Sequence, residues 1–153
     1  MNTRIPAAIL LCLFALSCAA QNGKPQHDAN LAYEEEMSHE KDACGDAETL
    51  VDRNECLNDM RIETYKNYTK FFDALREALI QASPNDSNAL ALDGTELVWE
   101  KYRVTACDAM VRVYDMGTIK HPGPSGPSAQ TRCLIQLTRS RMHDLKLLYE
   151  PTL

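Results

Sequence analysis

The chain has 153 residues, 44% of them hydrophobic and 25% charged, with a formal net charge of −6. That length sets a single domain as the expectation, and the apolar fraction excludes a wholly disordered or collagen-like chain. The negative charge argues against nucleic-acid binding, which needs a clustered basic face, and any partner steered by long-range charge should be basic.

Residues 1–20 read as an export signal. Arg4 supplies the positive start, and residues 5–16 form an uncharged apolar run. A membrane-spanning helix needs ~20 such residues, so the run is too short to span comfortably. Small residues follow it, as a cleavage site requires. Two cleavage chemistries compete there. A signal peptidase could cut after Ala20. Alternatively, Leu16-Ser17-Cys18 is similar to a bacterial lipobox, which would leave Cys18 acylated at the new N-terminus. Ala15 stands where that motif most often has Leu. Either route places the protein in the periplasm or cell envelope, with membrane contact only through a lipid on Cys18.

Of the six cysteines, Cys12 and Cys18 fall in the signal. Cys44, Cys56, Cys107 and Cys133 remain, and an even number in an exported chain reads as two disulfides. Four cysteines allow three connectivities, and their spacing alone does not choose among them. No C-x-x-C is present, which gives no support to a redox site or a zinc ribbon.

Residues 21–43 are polar and carry the acidic run Glu34-Glu35-Glu36. They are expected to form a solvated linker. Residues 47–81 then repeat apolar positions at spacings of three and four: Leu57, Met60, Thr64, Tyr68, Phe71, Phe72, Leu75 and Leu79. One helical face follows. Residues 83–87 supply helix breakers. A second helix is expected over 88–114, with a seam of Leu92, Trp99, Ala106, Met110 and Val113. Gly94 costs about 1 kcal/mol there relative to Ala, which would let the helix start after it.

The Pro/Gly-rich stretch 116–127 excludes a continuous helix. Ser128 is the expected cap of a third helix running to Tyr149, with Leu134, Leu137, Arg141, Leu145 and Leu148 as its seam. No strand signal competes. The expected fold class is therefore all-α: about three antiparallel helices over residues 44–149. In this layout Cys44 pairs most simply with Cys56, and Cys107 with Cys133. Each closed loop would add about 3 kcal/mol in the chain-entropy account.

The arrangement Cys44-x11-Cys56, Trp99-x2-Tyr102-Arg103-x3-Cys107 and Cys133-Leu134-x2-Leu137-x3-Arg141-x3-Leu145 resembles the LprI-type lysozyme inhibitor domain. The most specific part is Trp-x-x-Tyr-Arg-x-x-x-Cys. Glu96 departs from the pattern, because the family commonly has Gln three residues before the Trp. The first helix departs at Tyr65, Tyr68 and Phe72. The resemblance implies a small exported bacterial helical protein that binds lysozyme or another envelope protein.

Trp99, Arg103 and Cys107 share one helical face, so the Arg103 guanidinium can stack on the indole. Arg141 can bring a second cation to the same core. Such arginines need carboxylate or carbonyl partners, and Asp108, Asp115 and Asp144 are the candidates. Trp99, Tyr102, Arg103 and Arg141 are accordingly read as structural, the alternative being a ligand surface formed by Trp99 and Arg103.

No enzyme is expected. Gly123-Pro124-Ser125-Gly126 is not a nucleophile elbow, and the four histidines are scattered without metal-ligand spacing. No catalytic group, metal or cofactor can be assigned. Two function classes remain: an inhibitor of lysozyme-type muramidases, or a non-inhibitory structural or adaptor protein of the envelope. Lys120 and His121, in the Pro-stiffened loop, are the candidate partner-binding residues.

Overall fold

A computed structural model of the chain describes residues 23–39, 44–82, 87–115 and 126–150. Residues 1–20 with Cys18, and the loop carrying Lys120 and His121, lie outside the described residues. The described chain forms four helices: α1 (Lys24–Ser38), α2 (Leu50–Ala82), α3 (Ser87–Asp115) and α4 (Gly126–Tyr149). No strand occurs among the described residues. The fold class is the expected all-α one, with four helices in place of three.

The additional helix is α1, in the stretch expected to be a solvated linker. Pro25 stands in its first turn, where a missing N–H costs nothing. Ala29 and Ala32 lie fully inside, and their small side chains allow α1 to sit close against α2. Glu36, the last member of the acidic run, is 0% exposed rather than solvated. Its Oε1 accepts from Thr64 Oγ1 at 2.8 Å and from Arg139 Nε at 2.6 Å. Its Oε2 accepts from Asn67 Nδ2 at 3.1 Å. A buried carboxylate is tolerable only when paired and hydrogen-bonded in this way.

α2 packs against α1 on one side and α4 on the other, and α3 packs mainly on α4. Its start is set by Thr49, whose hydroxyl accepts from the Asp52 N–H at 3.1 Å and donates to the Asp52 carboxylate at 2.7 Å. This reciprocal cap places the first turn three residues later than the apolar periodicity alone suggests. The expected seam of α2 is largely the real one: Leu57, Thr64, Tyr68, Phe71, Leu75 and Leu79 are buried. Phe71 and Leu75 join Leu92, Met142 and Leu145 in the main core. Each such side chain contributes about 1.5–3 kcal/mol on burial.

Four expectations shift. α3 begins at Ser87 and runs through Gly94 without interruption. Its inward positions are Ala89, Leu92, Arg103 and Cys107, whereas Met110 is exposed. α4 begins at Gly126, so Ser128 is not its cap. Ser128 is buried in the first turns, and its hydroxyl donates to the Asn54 side-chain oxygen on α2. The α4 seam lies one residue later than expected at its first three positions and coincides with the expected one at Leu145. Ile135, Thr138, Met142 and Leu145 are buried, while Leu148 is 70% exposed. Thr138 turns inward because its hydroxyl donates to the Leu134 carbonyl at 2.7 Å and accepts from Arg103.

Both disulfides have the expected connectivity. Cys44 is bonded to Cys56 with Cα atoms 5.8 Å apart, and Cys107 to Cys133 with Cα atoms 5.5 Å apart. The first sits in a second, smaller core with Leu57 and Ile135. The second ties α3 to α4.

Candidate functional site

The residues of the Trp-Tyr-Arg signature meet where α2, α3 and α4 converge. Trp99 lies half-buried on α3. One turn on, the Arg103 guanidinium carbon is 5.3 Å from the indole centroid and 4.9 Å from the Tyr65 ring on α2. From α4, the Arg141 guanidinium carbon approaches the indole to 5.8 Å. On the remaining side Tyr68 packs against Trp99 with ring centroids 5.0 Å apart. Cation–π contacts of this kind contribute ~0.5–1 kcal/mol when exposed and more when desolvated.

Two glutamates balance the two cations. Glu100 accepts a forked pair from Arg103, at 3.0 Å from Nε and 2.8 Å from Nη2, and also accepts from the Tyr65 hydroxyl at 2.8 Å. Glu96 accepts from the Tyr68 hydroxyl at 2.5 Å and lies 3.7 Å from Arg141 Nη2. Arg141 also donates to Thr95 Oγ1 at 2.9 Å. The expected aspartate partners are therefore replaced by Glu96 and Glu100. Asp108 instead accepts from Gln130, and the Asp115 side chain lies outside the described residues. The reason is register. Positions 96, 100 and 103 are one turn apart on the inward face of α3, whereas Asp108 and Asp144 are exposed.

The environment shifts three acids. Burial raises the Glu96 carboxyl above the usual range, and the Tyr68 hydrogen bond and Arg141 only partly oppose it. Burial, followed by the hydrogen bond to Glu96, raises the Tyr68 hydroxyl. Both effects disfavour the charged form in a partly dry site. Tyr65 is raised in the same direction, by burial and by its bond to Glu100.

The structure thus brings Trp99, Arg103 and Arg141 together and separates Tyr102 from them. Tyr102 is 58% exposed on the outer face of α3, beside Val98. Sequence reasoning missed Tyr65, Glu96 and Glu100. The signal that could have found the glutamates is their spacing of four and three on the Trp99 side of α3. Among the described residues no three His, Cys, Asp or Glu side chains gather as a metal site. No described helix is long and apolar enough to cross a membrane.

A family model described as "Lysozyme inhibitor LprI" matches residues 41–145. The chain belongs to the LprI lysozyme inhibitor family. No curated protein and no solved structure matches it. The LprI match covers α2, α3, all four disulfide cysteines and the aromatic–guanidinium cluster, as well as most of α4. It begins after α1, so Glu36 is supplied from outside the matched LprI region.

Proposed function

We propose that this chain is an exported inhibitor of lysozyme-type muramidases that acts by direct protein–protein binding. The observation that carries the reading is the LprI match over residues 41–145. The physical character of the chain supports it. An inhibitor needs no catalytic group or cofactor, only a rigid surface that meets its target with little ordering cost. Two disulfides and the cross-braced cluster provide rigidity. The net charge of −6 favours steered encounter with a strongly basic lysozyme. In this reading residues 1–20 direct export, and a lipid on Cys18 would hold the domain at a membrane. Lys120 and His121 are the proposed partner contacts from the loop between α3 and α4.

One observation favours a second reading, a non-inhibitory adaptor of the envelope. The outer face of α3 presents Leu97, Val98 and Tyr102 at 78%, 72% and 58% exposure. That face is apolar rather than acidic, and it suits a partner recruited by contact area instead of charge. A peptidoglycan-clearing assay with several lysozyme types separates the two. Dose-dependent inhibition supports the first. Full muramidase activity in the presence of tens of micromolar protein, with a non-lysozyme partner recovered from the envelope, supports the second.

A further inference from the structure

The side of α4 away from the signature cluster carries a feature of its own. A cavity of about 530 Å³ opens there, between the end of α1, the Cys44–Cys56 disulfide and α4. That volume falls within the usual range for small-molecule sites, roughly 300–1,000 Å³. We propose that this cavity binds a small amphipathic carboxylate, a linear acid with an apolar tail of medium length.

The apolar part of the wall comes from Met37, Leu57, Met60 and Ile135. Leu57 and Ile135 are held by the smaller core that contains the Cys44–Cys56 disulfide. Two unbranched thioethers among aliphatic side chains adapt readily to a flexible tail. The charged part comes from Arg132 and Arg139 on one face of α4. Arg139 commits its Nε to Glu36, yet its Nη2 is buried without a hydrogen-bond partner. A guanidinium fork matches a carboxylate, and a small rotation of the Arg139 side chain toward the cavity would let an incoming acceptor complete the set that Glu36 leaves unfinished.

The remaining wall sets the charge of the ligand. Asp144 also lines the cavity, and Glu36 lies behind Arg139. A dianion such as a phosphate monoester would meet both negative groups, so a monoanion is the better match. His143 lines the cavity as well, but its Nδ1 is hydrogen-bonded to the Tyr33 hydroxyl at 2.9 Å. An uncharged alcohol would fill the apolar wall and give Arg139 a weaker acceptor.

The test uses the disulfide-bonded protein and sodium decanoate below its micelle concentration. Calorimetry reads affinity, and methionine-methyl NMR reads position. Saturable one-to-one binding is expected, with shifts at the Met37 and Met60 methyls. Decanol should bind roughly tenfold more weakly, because it lacks the charge-assisted contact. Arg132→Gln should weaken decanoate about fivefold, and Asp144→Asn should strengthen it, as their signs at the cavity wall require. Arg139→Lys keeps the charge facing Glu36 while removing the fork, and should also weaken binding. If that variant unfolds by circular dichroism, the two wall variants decide. Absence of saturable binding, equal affinity for decanol, or shifts confined to other methionines would overturn the proposal.

Discussion

Arg139 donates its Nε–H to Glu36 Oε1 at 2.6 Å, joining α4 to α1 across 103 residues of sequence. Thr64 and Asn67 on α2 donate to the same carboxylate, so one buried side chain coordinates three helices. Removing one partner of a buried pair leaves the other charged and unsatisfied, at about 3–5 kcal/mol. Glu36→Ala is therefore expected to lose about that much stability. Glu36→Gln, which keeps an acceptor, should lose less. Urea unfolding followed by circular dichroism measures both. A Glu36→Ala midpoint equal to the parent's would mean that α1 is not docked as described.

Gly94 offers the opposite test. It lies exposed inside α3, and a Cβ added there would meet nothing within 4 Å. Gly in a helix interior costs about 0.5–1 kcal/mol relative to Ala, mainly through the entropy of the unfolded chain. Gly94→Ala should raise stability by about that amount, read as a higher urea midpoint. If α3 began after Gly94, the substitution would have little effect or none.

The disulfides close segments with sequence separations of 12 and 26. The chain-entropy account gives about 3 kcal/mol for the shorter and about 3.5 for the longer. Replacing Cys107 and Cys133 together with Ala should therefore cost slightly more than replacing Cys44 and Cys56. Thermal unfolding of the two double variants checks the order. Non-reducing peptide mapping checks the pairing itself.

Glu96 and Tyr68 hold their protons to higher pH in the folded state than in the unfolded chain. The unfolded state thus binds fewer protons in the window between the two values, and stability falls as pH rises through it. For Glu96 the window opens at the ordinary carboxylate value of 4.5 and extends upward. For Tyr68 it opens at 10.0. Glu96→Gln should flatten the decline of stability through weakly acidic pH. Tyr68→Phe should flatten the decline above pH 10, and, by removing the hydrogen bond that holds the Glu96 carboxyl down, it should carry the Glu96 decline to higher pH. Unfolding free energy measured across pH for the parent and both variants reads these slopes directly.

The sequence carried the fold where hydrophobic period and burial agree. Phe71, Leu75 and Leu79 recur at helical spacing, and all three are buried. α1 was not legible, because its inward face consists of Ala29, Ala32 and a glutamate. The partners that justify burying Glu36 lie at positions 64, 67 and 139, far along the chain. The first three seam positions of α4 differ by one residue for a related reason. Leu134 and Leu137 look like core, yet Thr138 is the buried position because it joins the Arg103 network. The Trp99–Arg103–Arg141 stack followed from spacing and the family pattern. Its glutamate partners did not, since the sequence offers many carboxylates, and only the register of α3 selects Glu96 and Glu100.

The function proposed for this LprI-family chain is inhibition of a muramidase by direct binding. The most direct measurement mixes the disulfide-bonded protein with purified lysozymes of several types. It follows peptidoglycan clearing and complex formation in the same samples. Inhibition is expected to saturate at a fixed stoichiometry, track the amount of complex, and weaken as salt screens the charge attraction. Unchanged clearing by every lysozyme type at tens of micromolar protein, with no complex formed, would contradict it.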